Sequence, residues 1–560
     1  MAPARGLRAR LERIVDATVG VISPKAGLER KQWRDMSTAW EAADKGRPLS
    51  DWSGTLGSPD TDLFGELPEI RARSRELHRN NVFAASATES LAGNIVGTGL
   101  LPQARVNFAR IPGLDEDAAR EIGEDAEEIF DEWSRQGSAS ADGRLSFFRL
   151  QELAFSQVMM NGDVLALPPM VKRVGRKLET CIDLIEADRI DDPRGSAYPT
   201  GKHIRFGVEL GERSEPTAYW VANAHPNELY PSPQVPRKFT RFPAESPTGR
   251  VSAIHLYRML RPGQTRGVPV LAPAMKMFKH LSGYLDAEVI GAKVAACYAA
   301  FIVRPNATQA ARMLATGQGP QGEREQRLDY GAIYYTEPGE DVRFGSPNRP
   351  GATFDMFFDR ILLSIGASLG LPYELIARDF RKTNYSSARA ALLEARRMFQ
   401  SRQKWFAEAF CQVVWELVLE EAWLTGLWKT PGVDFYEHRS SLTACKWTAP
   451  TWGLIDPKME IEAYSMAVDR GFMTGQDVVQ TTSGGSFDDN LVVLAREQRR
   501  IEELEVAVDG AASKQAADAA KAEAMAKQAE QQGQQKKENP NNQLPVDDDE
   551  DAKKGGKPGG

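Results

Sequence analysis

The stretch that decides the fold begins at Thr353 and reads TFDMFFDRILLSIGASLGLPYELIARDFRKTNYSSARAALLE, ending at residue 394. Its apolar first part predicts a helix over 354–369, with Thr353 as N-cap and Gly370-Leu371-Pro372 as the stop. A polar, basic segment follows, and 386–425 contains neither Pro nor Gly. At 1.5 Å per residue, this second part predicts a helix of about 60 Å, far above the usual three turns. We therefore expect a short helix and a very long one, joined by a basic loop.

Positive charge is concentrated in this loop and in the start of the long helix. Residues 376–404 carry eight basic side chains against two acidic ones, a local charge of +6 in a chain of formal net charge −7. The later part of the helix is acidic, and this order opposes the helix dipole by about a few tenths of a kcal/mol per exposed charge. Two interpretations remain open: an acidic surface of a neighbouring subunit, or a polyanion near the loop. The basic residues are Arg378, Arg381, Lys382, Arg389, Arg396, Arg397, Arg402 and Lys404.

Elsewhere the chain has the mixed pattern of an α+β protein. Hydrophobic periodicity predicts helices at residues 68–95, 115–136, 146–160, 274–296 and 491–508. Strands are expected at residues 164–167, 218–221, 332–335 and 342–344, in a region broken by Pro and Gly. With 560 residues, 42% of them hydrophobic, the chain can bury an extensive core and form several subdomains.

Several of these motifs resemble the portal proteins of tailed bacteriophages, specifically the lambda type. The resemblance rests on Phe354-Asp355, on the run Gly370-Leu371-Pro372-Tyr373-Glu374-Leu375, and on Asn384-Tyr385-Ser386-Ser387-Ala388-Arg389-Ala390-Ala391-Leu392-Leu393-Glu394. Weaker matches are Ile254-His255-Leu256-Tyr257-Arg258, Arg266-Gly267-Val268-Pro269 and Trp452-Gly453-Leu454-Ile455-Asp456-Pro457. In order, they cover most of residues 60–505.

The resemblance implies an α+β portal subunit with long stem helices, a wing, a clip and a helical, crown-like C-terminal part. We expect an N-terminal arm at 1–60, a wing body at 61–267, a first stem helix at 268–297, a clip at 298–352, a second stem helix at 353–372, a tunnel loop at 373–385, the long helix and wing return at 386–440, a crown-like region at 441–509 and a disordered tail at 510–560. The tail prediction also rests on its composition, which is dominated by Ala, Lys, Gln, Glu and Gly.

The resemblance further implies a structural ring of twelve copies at one capsid vertex, and not an enzyme. Double-stranded DNA would be packaged and ejected through the channel in transient, sequence-independent contact. The implied partners are the terminase large subunit, the major capsid and scaffold proteins, and the head–tail joining proteins. The protein would be assembled in the bacterial host cytoplasm and reside in the virion. Two alternatives are a sequence-independent nucleic-acid-binding protein that uses 376–404 as a static site, and a phage enzyme with an unrecognised site.

Two loops carry the candidate site residues. In the tunnel loop, Arg378, Arg381 and Lys382 are candidates for passing contact with phosphate, and Asn384 for a cap where the long helix begins. The alternative for each basic group is a pair with Asp379 or with an adjacent subunit. In the clip, the loop that contains Gly317, Gly319 and Gly322 is the candidate terminase-docking surface.

The same glycines match the dinucleotide-binding pattern, but no strand precedes them and no helix starts among them, so we expect a flexible loop. No cofactor is expected, and the Walker motif and the nucleophile elbow are absent from the sequence. Four scattered cysteines and six isolated histidines favour neither a disulfide framework nor a zinc site. The acidic run Glu186, Asp188, Asp191 and Asp192 could ligate a divalent metal, but Arg189 within it favours a solvated turn. The longest apolar run, 289–303, contains Lys293 and is too short for a membrane anchor.

Overall fold

The computed structural model describes residues 18, 23–26, 54, 56–135, 137–193, 201, 203–228, 237–297, 301–303, 341–343, 354–381, 384–452, 457–482, 485 and 487–504. The chain forms two compact units, Met1–Pro450 and Thr451–Gly560. Several predicted features lie outside the described residues: most of the arm 1–60, the clip loop with Gly317, Gly319 and Gly322, the strand 332–335, the cap Thr353, Lys382, and the tail 510–560.

The described helices of the first unit are α1 (Pro59–Leu63), α2 (Leu67–Asn80), α3 (Val82–Ile95), α4 (Glu116–Ser134), α5 (Phe147–Asn161), α6 (Met275–Cys297), α7 (Phe354–Leu369), α8 (Tyr373–Ala377), α9 (Tyr385–Phe406), α10 (Gln412–Leu424) and α11 (Phe435–Leu442). Short 3-10 turns lie at Phe108–Arg110, Ala187–Arg189 and Ala272–Ala274. The helices predicted at 115–136, 146–160, 274–296 and 354–369 are confirmed to within two residues at each end.

One helix prediction is wrong. Residues 68–95 form two helices, because Asn81 adopts an extended conformation (φ −109°, ψ 119°) between α2 and α3. Its side-chain oxygen accepts the backbone N–H of Ala84 at 2.8 Å, which makes Asn81 the N-cap of α3. The apolar spacing runs across this break, so periodicity alone could not locate it.

The strands are β1 (Leu101–Ala104), β2 (Asp163–Leu167), β3 (Asp183–Glu186), β4 (His203–Arg205), β5 (Val208–Leu210), β6 (Pro216–Ala222), β7 (Phe239–Pro243), β8 (Ile254–Tyr257), β9 (Phe301–Val303), β10 (Asp341–Arg343) and β11 (Cys445–Thr448). They pair antiparallel as a three-stranded sheet β3-β2-β8, a four-stranded sheet β4-β5-β6-β7, and the pairs β1–β11 and β9–β10. The strands predicted at 164–167 and 218–221 are confirmed as parts of β2 and β6, and the one predicted at 342–344 as part of β10.

The two larger sheets share one apolar core. Leu165 and Ile185 of the three-stranded sheet pack with Val208, Tyr219 and Val221 of the four-stranded sheet, and all five side chains are buried. Sheets and helices are thus segregated along the chain, which confirms the α+β class.

A buried carboxylate joins α2 and the three-stranded sheet to the segment that precedes α6. Asp163 begins β2 and is fully buried, and its Oδ1 lies 2.8 Å from Arg71 Nη2 of α2 and 3.1 Å from Arg266 Nη2. Its Oδ2 lies 2.5 Å from Arg266 Nε, 3.2 Å from His255 Nε2 and 3.1 Å from the backbone nitrogen of Gly267. Burial alone would raise the pKa of Asp163, but the charges of Arg266 and Arg71 outweigh burial and hold that pKa well below its usual range.

Two glycines allow this approach. Gly162 has φ +91°, and a Cβ at that position would lie 2.5 Å from the carbonyl carbon of Gly267. A Cβ on Gly267 would lie 1.9 Å from the carbonyl oxygen of Gly162. The backbone at Gly162, before β2, therefore contacts the backbone at Gly267, before α6. A residue with a side chain at either position would not fit.

The long helix predicted over 386–425 is confirmed, with one irregularity. Helix α9 continues through a π-helical turn at Ala407–Cys411 into α10. Phe406 packs on Phe155, and Phe410 stacks on Phe147 at 5.9 Å between ring centroids. The π turn lies where the helix enters this aromatic core, and π turns are known mainly as single-turn insertions in α-helices.

The acidic end of the long helix is neutralised within the chain. Both oxygens of Glu421 accept backbone N–H groups, from Glu179 at 2.6 Å and from Thr180 at 2.8 Å. Glu420 accepts the hydroxyl of Tyr436 at 3.0 Å and lies 3.5 Å from Arg250 Nε. These contacts offset the unfavourable charge order in the second half of the helix.

The second unit has three described helices: α12 (Pro457–Asp469), α13 (Gly475–Thr482) and α14 (Phe487–Leu504). Thr474 caps α13, since its hydroxyl accepts the backbone N–H of Asp477 at 3.1 Å. The Oε1 of Gln476 accepts the backbone N–H of Phe487 at 2.6 Å and joins α13 to α14. The helix predicted at 491–508 is confirmed as α14, which starts four residues earlier. Among the described residues, every helix is too short or too polar to span a membrane.

We predict that Asp163→Asn lowers the free energy of unfolding by about 3–5 kcal/mol, because two buried guanidinium groups lose their charge partner. Equilibrium unfolding in urea measures this loss. The control is Glu69→Gln, which removes an exposed i,i+4 pair with Arg73 and should cost at most about 1 kcal/mol. Equal effects of the two substitutions would contradict a special role for Asp163.

The same carboxylate predicts a dependence on pH. Because the folded pKa of Asp163 is depressed, its contribution to stability is present above the unfolded value of about 3.9 and disappears as the pH falls toward the folded value. The loss of stability on acidification should therefore be shallower in Asp163→Asn than in the unchanged protein. Unfolding curves collected across the acid range test this, and parallel slopes would contradict it.

Candidate functional site

The basic loop, defined here as Arg378–Asn384, lies between the short helix α8 and the long helix α9. The chain leaves α7 through Gly370, whose φ of +71° ends the helix in the left-handed region. Leu371 donates its N–H to the carbonyl of Gly366 at 3.0 Å, and α8 starts two residues later. The hydroxyl of Tyr373 donates to Asp359 at 2.9 Å, so α8 is tied back onto α7. Burial and then Asp359 raise the pKa of Tyr373 to about 12, which keeps this hydroxyl protonated at neutral pH.

One face of α3 holds the start of the basic loop. The hydroxyl of Ser86 donates to the carbonyl of Ile376 at 3.0 Å, and that of Ser90 donates to the carbonyl of Leu375 at 2.9 Å. These carbonyls belong to the last turn of α8, where helix geometry leaves them without internal partners. Glu89, on the same face of α3, forms a 3.0 Å ion pair with Arg378.

Each described arginine of the basic loop faces a carboxylate. Arg381 meets Asp379 in a bidentate arrangement, with Nε 2.9 Å from Oδ1 and Nη2 3.0 Å from Oδ2. This hydrogen bond raises the pKa of Arg381. The Arg378–Glu89 pair is exposed on both sides. The expectation that one of these groups pairs with Asp379 is confirmed for Arg381.

Asn384 ends the loop as the N-cap of α9. Its backbone is extended (φ −78°, ψ 158°), and its Oδ1 accepts the N–H of Ser387 at 2.8 Å. The predicted cap is therefore confirmed, whereas the predicted contact of this loop with DNA stays a prediction.

Helices α6 and α7 leave apolar side chains exposed. On α6 these are Met277, Val289 and Ile290, and on α7 they are Met356, Phe357 and Leu363, with exposed fractions between 44% and 64%. Inside the subunit the two helices meet through Tyr284, whose ring lies 5.1 Å from Phe357 and 5.6 Å from Phe354 between centroids. Exposed apolar surface is typical of protein–protein interaction sites.

The acidic run at 186–192 is neither a metal site nor the solvated turn that the sequence predicted. Its carboxylates are partly buried and ion-paired: Arg75 contacts both Glu186 and Asp188, and Arg237 Nη1 lies 2.7 Å from Asp191. Within the described part of the chain, no group of three His, Cys, Asp or Glu side chains is placed to hold a metal ion. The partners come from α2 and from the turn before β7, which local sequence could not show.

Comparison with known proteins identifies the family of the chain. The sequence model of the family described as "Phage portal protein, lambda family" matches residues 45–403, and the chain belongs to that family. This confirms the resemblance inferred from the motifs, and a capsid portal function follows from it.

Two relatives illustrate the similarity. "Portal protein B" of Escherichia phage lambda is 26% identical over 451 residues, which cover 77% of this chain and 83% of that protein. The "Probable portal protein" of Halomonas phage phiHAP-1 is 23% identical over 492 residues, covering 86% and 90% of the two chains. Among solved structures, a chain of the neck of a native gene transfer agent particle is 13% identical, with a TM-score of 0.37, and the match covers 78% of this chain and 99% of that one.

Sequence reasoning missed the α3 residues that hold the loop. Ser86, Glu89 and Ser90 lie at i, i+3 and i+4, so they form one polar stripe on a helix that is otherwise rich in apolar residues. The polar stripe indicated that this face of α3 has polar partners. The neighbouring sequence could not identify those partners, because they lie almost 300 residues further along the chain.

We predict that Ser86→Ala with Ser90→Ala loosens the basic loop. Each lost hydrogen bond leaves a carbonyl without its donor, at a cost of about 1 kcal/mol. Trypsin cuts after Arg and Lys, so cleavage at Arg378 and Arg381 should accelerate by about tenfold. The control is Ser364→Ala, whose hydroxyl donates only within α7, to the carbonyl of Arg360. Unchanged cleavage in the double variant would show that α3 does not hold the loop.

Proposed function

We propose that this portal protein assembles as a closed ring of twelve copies at one capsid vertex and conducts double-stranded DNA during packaging and ejection. It is a structural protein without enzymatic activity, made in the host cytoplasm and retained in the virion. The terminase large subunit docks on the clip, and the loop that contains Gly317, Gly319 and Gly322 is the proposed contact surface. The major capsid and scaffold proteins and the head–tail joining proteins are its other partners. Family membership over residues 45–403 is the observation that carries this proposal.

Ring formation is supported by the exposed apolar faces of α6 and α7. A subunit that leaves Ile290, Met356 and Phe357 in water gains free energy when a neighbour covers them, at about 25 cal/mol per Å² of apolar surface. A contact between two different faces of the same subunit is head-to-tail, and it closes into a ring when the rotation permits. Negative-stain imaging of the purified protein tests the proposal directly, because it requires closed rings with a central hole.

We predict that Ile290→Asp with Met356→Asp prevents ring formation without unfolding the subunit. Both side chains are more than half exposed, so the folded subunit tolerates the charge, whereas a covered interface does not. Sedimentation velocity separates rings from subunits, and circular dichroism checks the fold. The control is Val174→Asp, at an exposed turn between β2 and β3. Rings of normal size and amount in the double variant would place the interface elsewhere.

The pairing in the basic loop supports transient contact with DNA. The Arg378–Glu89 pair is exposed on both sides, and such pairs are worth about 0–1 kcal/mol, so a phosphate can replace this carboxylate at little cost. Arg381 is 88% exposed, so its guanidinium is also accessible to a phosphate, although its partner Asp379 is partly buried. While it is paired, each arginine is largely neutralised, which limits the number of phosphates bound at once. Tight, salt-sensitive binding to many phosphates would hinder passage. A static nucleic-acid site at 376–404 is correspondingly disfavoured.

We predict that Glu89→Gln with Asp379→Asn increases the affinity of the ring for duplex DNA. The two freed arginines add up to two phosphate contacts, so the slope of log affinity against log salt should steepen by about 0.9 for each. Fluorescence anisotropy with a labelled duplex at several salt concentrations measures both quantities.

The control for this experiment is Glu69→Gln, which changes charge at another exposed pair. Arg381→Ala with Lys382→Ala tests the opposite direction in particles, where packaged DNA length and leakage should change while the rings stay intact. Two results together would show that the basic loop does not contact DNA: the first double variant binds duplex DNA like the unchanged ring, and the second packages and retains DNA like unchanged particles.

A further inference from the structure

An arginine occupies a position of the long helix where the spacing calls for an apolar residue. Along α9, the buried side chains Ala395, Phe399 and Phe406 recur at i, i+4 and i+11, which is the stripe that faces the body of the subunit. Arg402 stands at i+7 in the same stripe. Its neighbour Gln403 is buried and donates to the carbonyl of Asn94 at 3.2 Å, so this turn of α9 packs directly on α3.

The guanidinium of Arg402 is largely removed from solvent and is not neutralised. Its Nε and Nη1 are buried and have no hydrogen-bond partner in the described part of the chain. Burial, and then the like charge of Arg258, lower the pKa of Arg402 to about 10. A cation in such a place is costly until an acceptor reaches it.

The surroundings of Arg402 form a surface suited to an acidic partner. Arg258 follows β8 and is exposed, and Met259 and Leu260 come next, with exposed fractions of 58% and 64%. We call Arg258, Met259, Leu260 and Arg402 the cationic patch. Apolar side chains beside unpaired arginines are typical of protein interfaces, where Arg and Met are enriched.

The position of the patch favours a carboxylate over a DNA phosphate. Arg402 lies 17 residues beyond Tyr385, the first residue of α9, which at 1.5 Å per residue places it about 26 Å along the helix from the basic loop. The patch is therefore separate from the loop that is proposed to contact DNA, and its exposed apolar side chains Met259 and Leu260 favour a protein carboxylate over a phosphate.

The chain itself carries a complementary surface on α4. Glu121, Asp125 and Glu128 are exposed at i, i+4 and i+7 on one face of that helix, and they form no hydrogen bond or ion pair within the described residues. Four other exposed acids of α4 are already paired: Asp117 and Glu124 with Arg120, Asp131 with Arg135, and Glu132 with Lys177.

We propose that the cationic patch of one copy receives the α4 carboxylates Glu121, Asp125 and Glu128 of the next copy. This inference rests on the ring proposed above, because a head-to-tail interface requires two different, complementary surfaces on the same chain. Complementary charge at such a contact sets the orientation of neighbours and suppresses wrong pairings.

Charge reversal with mixing tests the contact. The first variant carries Arg258→Glu and Arg402→Glu, and the second carries Glu121→Lys, Asp125→Lys and Glu128→Lys. Alone, each variant brings like charges together at every interface, so the protein concentration needed for half-assembly should rise by about tenfold or more. Mixed in equal amounts, the two variants can alternate around the ring with opposite charges at every contact, and assembly should recover. Sedimentation velocity measures the ring fraction in all three samples.

Two further variants separate the contact from folding. Arg258→Glu alone alters an exposed side chain, so it should weaken assembly with no change in melting temperature. Arg402→Met replaces the unpaired buried cation by an apolar side chain of similar length, so the dilute subunit should melt at the same or a higher temperature while assembly weakens. Lys404→Glu is the matched control, because it makes the same charge change on the exposed side of the same helix and should leave assembly unchanged.

The outcomes distinguish this inference from the proposed function. If the unchanged protein forms no rings, the proposed function fails before the contact is tested. If the unchanged protein forms rings and the reversed variants assemble normally, or if mixing restores nothing, the contact between the cationic patch and α4 is overturned while the ring stands. Recovery confined to the mixture, with normal assembly of the Lys404→Glu control, supports the contact.

Discussion

Asp163 is the group on which the rest of the subunit depends. Its two oxygens contact Arg71 of α2, Arg266 of the segment before α6, and His255 of β8. The Nη1 of Arg266 continues the network to the carbonyls of Ile190 and Phe206, at 2.8 Å each. A fully buried charge is tolerated only when partners satisfy it, so these contacts have to form together. They fix the segment at Arg266 and Gly267, which leads into α6, against β2 and β8.

The basic loop follows the opposite principle. Neutral hydrogen bonds from Ser86 and Ser90 hold the last turn of α8, from which the loop starts. The exposed arginines of the loop pair with the exposed Glu89 and with the partly buried Asp379. Hydrogen bonds to the backbone fix where the loop starts, and exposed ion pairs leave its arginines exchangeable. The proposed conduit would use this combination, since the position of the loop would stay constant while its contacts with the passing DNA stay brief. The buried cluster at Asp163 could not serve such a purpose, because opening it would unfold its surroundings.

The charge order of the long helix has two explanations in different parts of the helix. At the acidic end, Glu420 and Glu421 are satisfied inside the subunit by Tyr436 and by backbone N–H groups of the β2–β3 connection. At the basic end, Arg402 finds no acceptor in the described part of the chain. The sequence left two interpretations open, and under the proposals made above a neighbouring subunit accounts for Arg402 and passing phosphate for the loop arginines.

The sequence by itself determined the local elements and the family. Apolar spacing located α4, α5, α6 and α7, the absence of Pro and Gly located the long helix, and the motif at 384–394 pointed to the portal family. It determined these because helix propensity, capping and stop signals act between residues close in the chain. Only the tertiary structure decided that Asn81 divides one predicted helix in two, that the acidic run at 186–192 pairs with Arg75 and Arg237, and that α3 holds the basic loop. In the last two cases the deciding partner lies far away in sequence, and the energy of a buried or paired polar group depends on which groups the fold brings within hydrogen-bonding distance.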